Sequence, residues 1–401
     1  MVSLRTSNFA LRTSAGLLLL ALTGCGSTKA EPIIRIGFAA PLTGDQAPQG
    51  QDMLHGAELA VEQAQAGPPI VPGFRIELVT LDDQHSPTQA VAAAKKLIAD
   101  PYVLVVVGHL NSSCSMPASA VYHQAPLLQI SPISSNPQIS RQGFDTFYRT
   151  CATDDLQGPA AAIFAVRELG AKRIFILDDL TTYGRGLSNE FEQKARALGA
   201  NILGHEGIVQ GDKEFTPLLT KIKSVAPDLV YFAGMFPEAA LLLKQRRAIG
   251  LGGYFMGGDG VFDGTLLKLT EPEVSEGLYV TSIGSDPHGI PTAQAFVKLY
   301  ESRHGPIGAY STYAYEAAHI ALWAVQEAAR REPYAFDASQ PGSNTGDRRQ
   351  AVLAAMKTLK DFPGLFGPQN FDEKGDSRIH DIGLYTVKRG KFVFLKTATW
   401  D

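Results

Sequence analysis

The sequence predicts an α/β protein of two lobes, each a mostly parallel doubly wound sheet with helices on both faces. Three observations carry that expectation. Short apolar, β-branched runs alternate with segments whose apolar residues recur at helical spacing, the pattern of βαβ units. The alternation starts afresh near Thr153, so one pattern occurs twice in tandem. The chain of 401 residues is also long enough for two domains rather than one.

Residues 33–40 (IIRIGFAA) read as the first strand. Residues 51–65 read as a helix, because Met53, Ala57, Ala60, Val61 and Ala64 fall on one face. RIELVTLDD (75–83) is a strand, and residues 87–99 form a helix opened by Pro87. VLVVV (103–107), a helix over 113–123 and LLQIS (127–131) complete the first run. The second run takes KRIFILDD (172–179), a helix over 186–198, NILGHEGI (201–208) and a helix over 215–224. It ends with DLVYFAG (228–234), a helix over 238–249 and YFMGGD (254–259). The last third adds helices over 292–303 and 311–331, an exposed polar loop over 332–348 and a helix over 351–360. IGLYTVK (382–388) and KFVFLK (391–396) flank Arg389-Gly390 as a hairpin.

The stretch VLVVVGHLNSSCSMPAS (103–119) organises the rest. Its five apolar residues predict a buried strand, ended by Gly108. Asn111, Ser112 and Ser113 are residue types that cap helices, and Pro117 suits a first turn. A helix start carries free N–H groups and partial positive charge, so it suits a carboxylate. A serine there that only caps the helix is the plainer reading, and both stay open at this point.

Ligands of open parallel sheets sit beyond the carboxyl ends of the strands. Ser112 and Ser113 follow VLVVV, and Ser134 and Ser135 follow LLQIS. Thr182 and Tyr183 follow KRIFILDD, Met235 and Phe236 follow DLVYFAG, and Asp259 closes YFMGGD. One lobe offers hydroxyls and backbone amides; the other offers an aromatic, apolar side chains and one acid. These groups suit a zwitterion with an apolar tail, its carboxylate on the hydroxyls and its ammonium on Asp259.

The N-terminus reads as a targeting segment. Arg5 and Arg12 precede a short apolar core, AGLLLLAL (15–22), too short to span a bilayer. Leu22-Thr23-Gly24-Cys25 resembles a lipobox, in which Cys25 is acylated and becomes the new N-terminus. Residues 1–24 are then a signal peptide and residues 25–32 a lipidated tether into the bilayer. Residues 1–24 hold two arginines and no acid, so their removal takes the formal charge from −4 to −6. A mildly acidic chain argues against nucleic acid as a partner.

GHLNSSCSMPAS, ISPISSNP, TTYGRG, PEAALLLKQRRAIGL, FMGGDGV and FDEKGD, in that order and spacing, resemble the branched-chain amino-acid binding proteins of bacterial ABC importers. These are type I periplasmic binding proteins of the Leu/Ile/Val-binding kind. The resemblance implies two lobes joined by a hinge around a ligand cleft. It implies crossings near Ser282 and Leu365, with residues 33–153 and 283–364 in one lobe, 154–282 and 365–401 in the other. It implies ligand contacts at Ser112, the main chain of Ile133, Ser135, Tyr183 and Asp259, with Ser134, Met235 and Gln49 beside them. It also implies a periplasmic monomer that needs no cofactor and delivers an amino acid to a permease in the inner membrane. A ligand sensor of the same fold, signalling to a receptor or regulator, is the alternative.

Three positions depart from the family pattern. Gln49 stands where an aromatic is usual, which admits a more polar ligand. Met235 stands where another aromatic is frequent, and its thioether still suits an apolar pocket. The family's disulfide partners fall on His85 and Asn111. Cys114 and Cys151 follow strands of one predicted lobe, so a disulfide between them and two free thiols both stay open.

Catalytic readings fare worse. Cys114 as a nucleophile, with His109 or His123 as base, lacks an orienting third group. There is no P-loop motif, Gly258-Asp259-Gly260 lacks the third glycine of a dinucleotide fingerprint, and His205-Glu206 has no second histidine at zinc spacing. No enzyme activity, metal site or cofactor is expected.

Overall fold

The computed structural model describes residues 32–337 and 345–398. The signal segment and Cys25 lie outside them. In chain order the first sheet takes β1 (Ile33–Ala40), β2 (Arg75–Asp82), β3 (Val103–Gly108), β4 (Leu128–Ser131) and β5 (Phe147–Arg149). Between these strands run α1 (Ala47–Ala66), α2 (Pro87–Ala99) and α3 (Ser112–Gln124). The strand order is β2-β1-β3-β4-β5 and every pairing is parallel. β3 is buried along its whole length, as its unbroken apolar run requires.

α4 (Asp154–Ile163) then leads into the second sheet. It comprises β6 (Arg173–Asp178), β7 (Asn201–Gly207), β8 (Leu229–Ala233), β9 (Tyr254–Gly257) and β10 (Tyr279–Ser282). α5 (Thr182–Ala197), α6 (Thr216–Ser224), α7 (Phe236–Ala248), α8 (Gly264–Leu269) and α9 (Pro272–Ser275) connect them. α10 (Gln294–His304), α11 (Ser311–Arg331) and α12 (Thr345–Met356) follow. A small hairpin, β11 (Phe362–Gly364) and β12 (Gly367–Gln369), precedes β13 (Gly383–Lys388) and β14 (Lys391–Thr397). The second sheet runs β14-β13-β10-β9-β8-β6-β7, parallel except where β13 and β14 add an antiparallel edge.

Each lobe therefore has the expected doubly wound architecture. α1 buries Met53, Ala57, Ala60 and Val61 against the first sheet, the face its spacing predicted. α11 returns to pack on α1, and the two backbones approach so closely at Gly56 that a Cβ there would lie 2.1 Å from the Ser311 carbonyl oxygen. Residues after the hairpin still belong against the first sheet: Phe371 edges onto the Tyr148 ring and Asp376 pairs with Arg149. The chain joins the second sheet at Gly383, later than Leu365.

Several helices start earlier than periodicity indicated. α1 begins at Ala47, with Pro48 in its first turn. α5 begins at Thr182, because the Thr181 hydroxyl accepts from Gly184 N at 3.0 Å and caps it. Gly184, outside the expected helix, lies inside it. A Cβ at Gly184 would sit 2.2 Å from Asp179 Oδ1, so packing demands the gap. α12 begins at Thr345, inside the expected polar loop. Pro117 lies in the second turn of α3, not the first.

The disulfide does not form. Cys114 and Cys151 are both free and fully buried. Cys114 packs with Ala90, Ala94 and Tyr122 on one face of the first sheet. Cys151 belongs to the core on the other face, with Ile36 and Phe38. The sheet stands between the two thiols.

Candidate functional site

The carboxyl ends of β3, β4, β6, β8 and β9 meet at a small cavity between the lobes. Ser112, Ile133, Ser135, Tyr183, Met235 and Asp259 line it, so the structure brings these six sequence candidates together. Leu110, Asn111, Gly260 and Tyr310 complete the wall.

The first lobe supplies the half suited to an anion. Ser112 is the first residue of α3, and its Oγ accepts from Asn136 N at 3.2 Å. Its own hydroxyl hydrogen is thereby left to donate elsewhere. Asn111 occupies the N-cap but makes no side-chain capping bond, so the early N–H groups of the helix remain available. Ser135 sits in a loop held from below by Arg149. That guanidinium donates to the Ser134 and Asn136 carbonyls at 2.6 and 2.9 Å and pairs with Asp376 at 2.6 Å. The FDEKGD motif thus acts on the site through Arg149 rather than by touching it.

The second lobe supplies the half suited to a cation. Asp259 is 3% exposed. Its Oδ1 accepts from Tyr183 OH at 2.7 Å and from Gln157 Nε2 at 3.0 Å. Tyr183 OH in turn accepts from Gly260 N at 3.1 Å. Tyr310, which precedes α11 on the first lobe, donates to Asp259 Oδ2 at 3.2 Å. Burial raises the Asp259 pKa, while the donors from Tyr183, Gln157 and Tyr310 pull it back down. Burial also pushes both tyrosines well above their ordinary value, so they stay protonated donors. A Cβ on Gly260 would lie 2.8 Å from Met235 Sδ, which fixes glycine beside the thioether.

A second acid lies behind Asp259. Asp154, the first residue of α4, is completely buried, beside the Ser135 hydroxyl. Burial and then the charge of Asp259 hold its pKa well above the usual carboxylate range. Neither acid has an ion-pair partner among the described residues. Asp259, desolvated and on the cavity wall, makes this end of the cavity attractive to an ammonium.

Two candidates stand elsewhere. Ser134 is not on the cavity wall: its hydroxyl is spent on the Leu110 carbonyl at 3.0 Å and on Ser115 Oγ at 2.7 Å. Gln49 lies just behind the wall, buried, with Nε2 3.4 Å from the Gly260 carbonyl oxygen of the other lobe. The nucleophile reading of Cys114 has no geometric support. Burial drives its thiol pKa well up. His109 is engaged by Asp83 at 2.7 Å, and His123 stacks on Phe144. Among the described residues no group of three or more His, Cys, Asp or Glu is placed to hold a metal ion.

Contacts across the cleft are numerous. Asn136 Nδ2 donates to the Thr182 carbonyl at 2.6 Å, and Arg141 pairs with Asp155 at 3.3 Å. The lobes are closed on each other, so a solute in the cavity is enclosed by both.

A model of the family described as periplasmic binding protein matches residues 33–391. The chain belongs to that family. An amino acid binding protein of Pseudomonas aeruginosa is 34% identical over 375 residues, spanning 92% of this chain and 95% of its own. A Leu/Ile/Val-binding protein homologue of Brucella suis is 32% identical, spanning 94% and 96%. Among solved structures, a leucine binding protein of Thermotoga maritima superposes with a TM-score of 0.81 at 29% identity, covering 92% of this chain and 99% of that one.

As a periplasmic binding protein of the type I fold, this chain binds a solute rather than transforming it, and it acts outside the cytoplasm. No helix among the described residues is long and apolar enough to cross a membrane. In this binding protein the positions to which the resemblance assigned a disulfide are joined by an amide instead. Gln46 Nε2 lies 2.6 Å from His85 Nδ1, and Gln46 Oε1 accepts from Asn111 Nδ2 at 2.9 Å.

Proposed function

We propose that this binding protein captures an α-amino acid with a small uncharged side chain and delivers it to the permease of an ABC importer. One observation carries the reading: a buried acid ringed by donors faces an uncapped helix N-terminus across the cavity between the lobes. The ligand carboxylate takes Ser112, Ser135 and the start of α3. Its ammonium takes Asp259, with Asp154 behind, and Ile133, Leu110 and Met235 form the apolar side. A ligand that touches both lobes stabilises the closed form by its differential affinity, and closure is the signal that a permease reads. The names of the relatives support the branched aliphatic set, and a related Streptococcus pneumoniae structure at 25% identity is described in complex with isoleucine. The reading includes a monomer held in the cell envelope by a lipid on Cys25.

A thermal-shift screen of amino acids, short peptides, amides and sugars tests it. A ligand specific to the folded state at ~100 times its Kd adds ~2.7 kcal/mol. Stabilisation by α-amino acids is expected; stabilisation by sugars alone contradicts the reading. Acyl labelling lost in Cys25→Ala tests the anchor, and equal labelling of both proteins contradicts it.

A further inference from the structure

One side of the cavity carries polar groups that an aliphatic side chain leaves unused. Asn111 lines the wall, is 6% exposed, and its Oδ1 has no hydrogen-bond partner. Its Nδ2 is committed to Gln46 Oε1. On the first turn of α1, Gln49 is 1% exposed and its Oε1 is also without a partner. Its Nε2 faces the Gly260 carbonyl, another part of the wall. Leaving buried acceptors unpaired is costly, and native proteins rarely tolerate two at one place.

The amide of Asn111 is held by a relay. Gln46 Oε1 accepts from Asn111 Nδ2, and Gln46 Nε2 donates to His85 Nδ1 at 2.6 Å. Burial lowers the His85 pKa to about 4, so the ring is neutral, with one donor and one acceptor nitrogen. If the ring hydrogen moves to the other nitrogen, Gln46 and Asn111 turn over and Nδ2 faces the cavity. A hydroxyl donates to Oδ1 or accepts from Nδ2, and a carboxamide does the same. A methyl group does neither.

We propose that Asn111, backed by Gln49, is a specificity-determining residue. The preferred ligand is an α-amino acid whose side chain has the size of a branched aliphatic one but carries an uncharged polar group, a hydroxyl or a carboxamide. The inference rests on the amino-acid reading above and names the ligand class within it.

The test uses two nearly isosteric pairs, threonine with valine and asparagine with leucine, titrated calorimetrically into the full-length protein freed of bound solute. The polar member of at least one pair should bind ~10-fold or more tightly, the scale of one unmade buried hydrogen bond. Asn111→Leu and Gln49→Leu should each shrink or reverse that preference. Where Asn111→Leu fails to fold, the wild-type ratio and Gln49→Leu still decide. Aliphatic members binding as tightly as polar ones in the wild type overturns the inference and leaves amino-acid capture standing. A polar preference that survives both substitutions overturns the assignment to Asn111 and Gln49. Binding of no amino acid at all removes the underlying reading as well.

Discussion

Tyr310 and Asp259 join the two lobes through one hydrogen bond. The tyrosine precedes α11 on the first lobe, and its hydroxyl lies 3.2 Å from Asp259 Oδ2 and 3.1 Å from the Asp259 carbonyl oxygen. The acid that faces the cavity is thus held in part by the opposite lobe.

Tyr310→Phe removes that hydroxyl and leaves the ring. The folded lobes should be unaffected, but ligand affinity should fall by about 1.5–3 kcal/mol, the range for a hydrogen bond to a charged group. Small-angle scattering of the ligand-free variant should show a larger open fraction than the wild type. Unchanged affinity would mean that closure does not depend on this bond.

Glu316 on α11 gives the protein a pH dependence of its own. Its carboxylate accepts from Leu365 N at 2.7 Å, and burial pushes its pKa up to about 7 from an ordinary 4.5. Between those two values the folded protein holds a proton that the unfolded chain has released. Stability from this group is therefore fully present below about pH 4.5 and is lost as pH rises to about 7. Glu316→Gln keeps an acceptor and removes the titration. The stability difference between variant and wild type, from denaturant melts at several pH values, should shift in favour of the variant by at most ~1.4 kcal/mol per unit across that window. A constant difference would contradict it.

Cys114 and Cys151 are buried free thiols on opposite faces of one sheet, and burial raises the pKa of each. The native soluble domain should react negligibly with a thiol reagent, and denaturation without reductant should release two titratable thiols. No reactive thiol after denaturation would restore the disulfide.

The strands were legible because β-branched runs bounded by glycine leave little alternative, and the parallel order of both sheets follows from their alternation with helices. Helix starts were less legible. Gly184 fell outside the expected helix, whereas it lies inside α5 because Asp179 leaves no room for a Cβ. The strand-end rule located Ser112, Ser135, Tyr183, Met235 and Asp259. It could not locate Tyr310, which reaches the site only because α11 returns to the first lobe. Asp154 at the head of a helix reads as an ordinary complement to the helix dipole, and only its burial beside Asp259 gives it another role. Arg149 was missed because its partner, Asp376, lies 227 residues away.

The central claim is that Asp259 anchors a ligand ammonium while Ser112 holds its carboxylate. Calorimetry on Asp259→Ala and Ser112→Ala, each with an amino acid and its des-amino analogue in one buffer, tests it most directly. Truncating one partner of a buried charge pair costs about 2–5 kcal/mol, and losing a hydroxyl bonded to a charge costs about 1.5–3 kcal/mol. Asp259→Ala should therefore weaken amino-acid binding more than Ser112→Ala, and should erase most of the discrimination against the des-amino analogue. Wild-type affinity for the amino acid in Asp259→Ala would contradict the account at its centre.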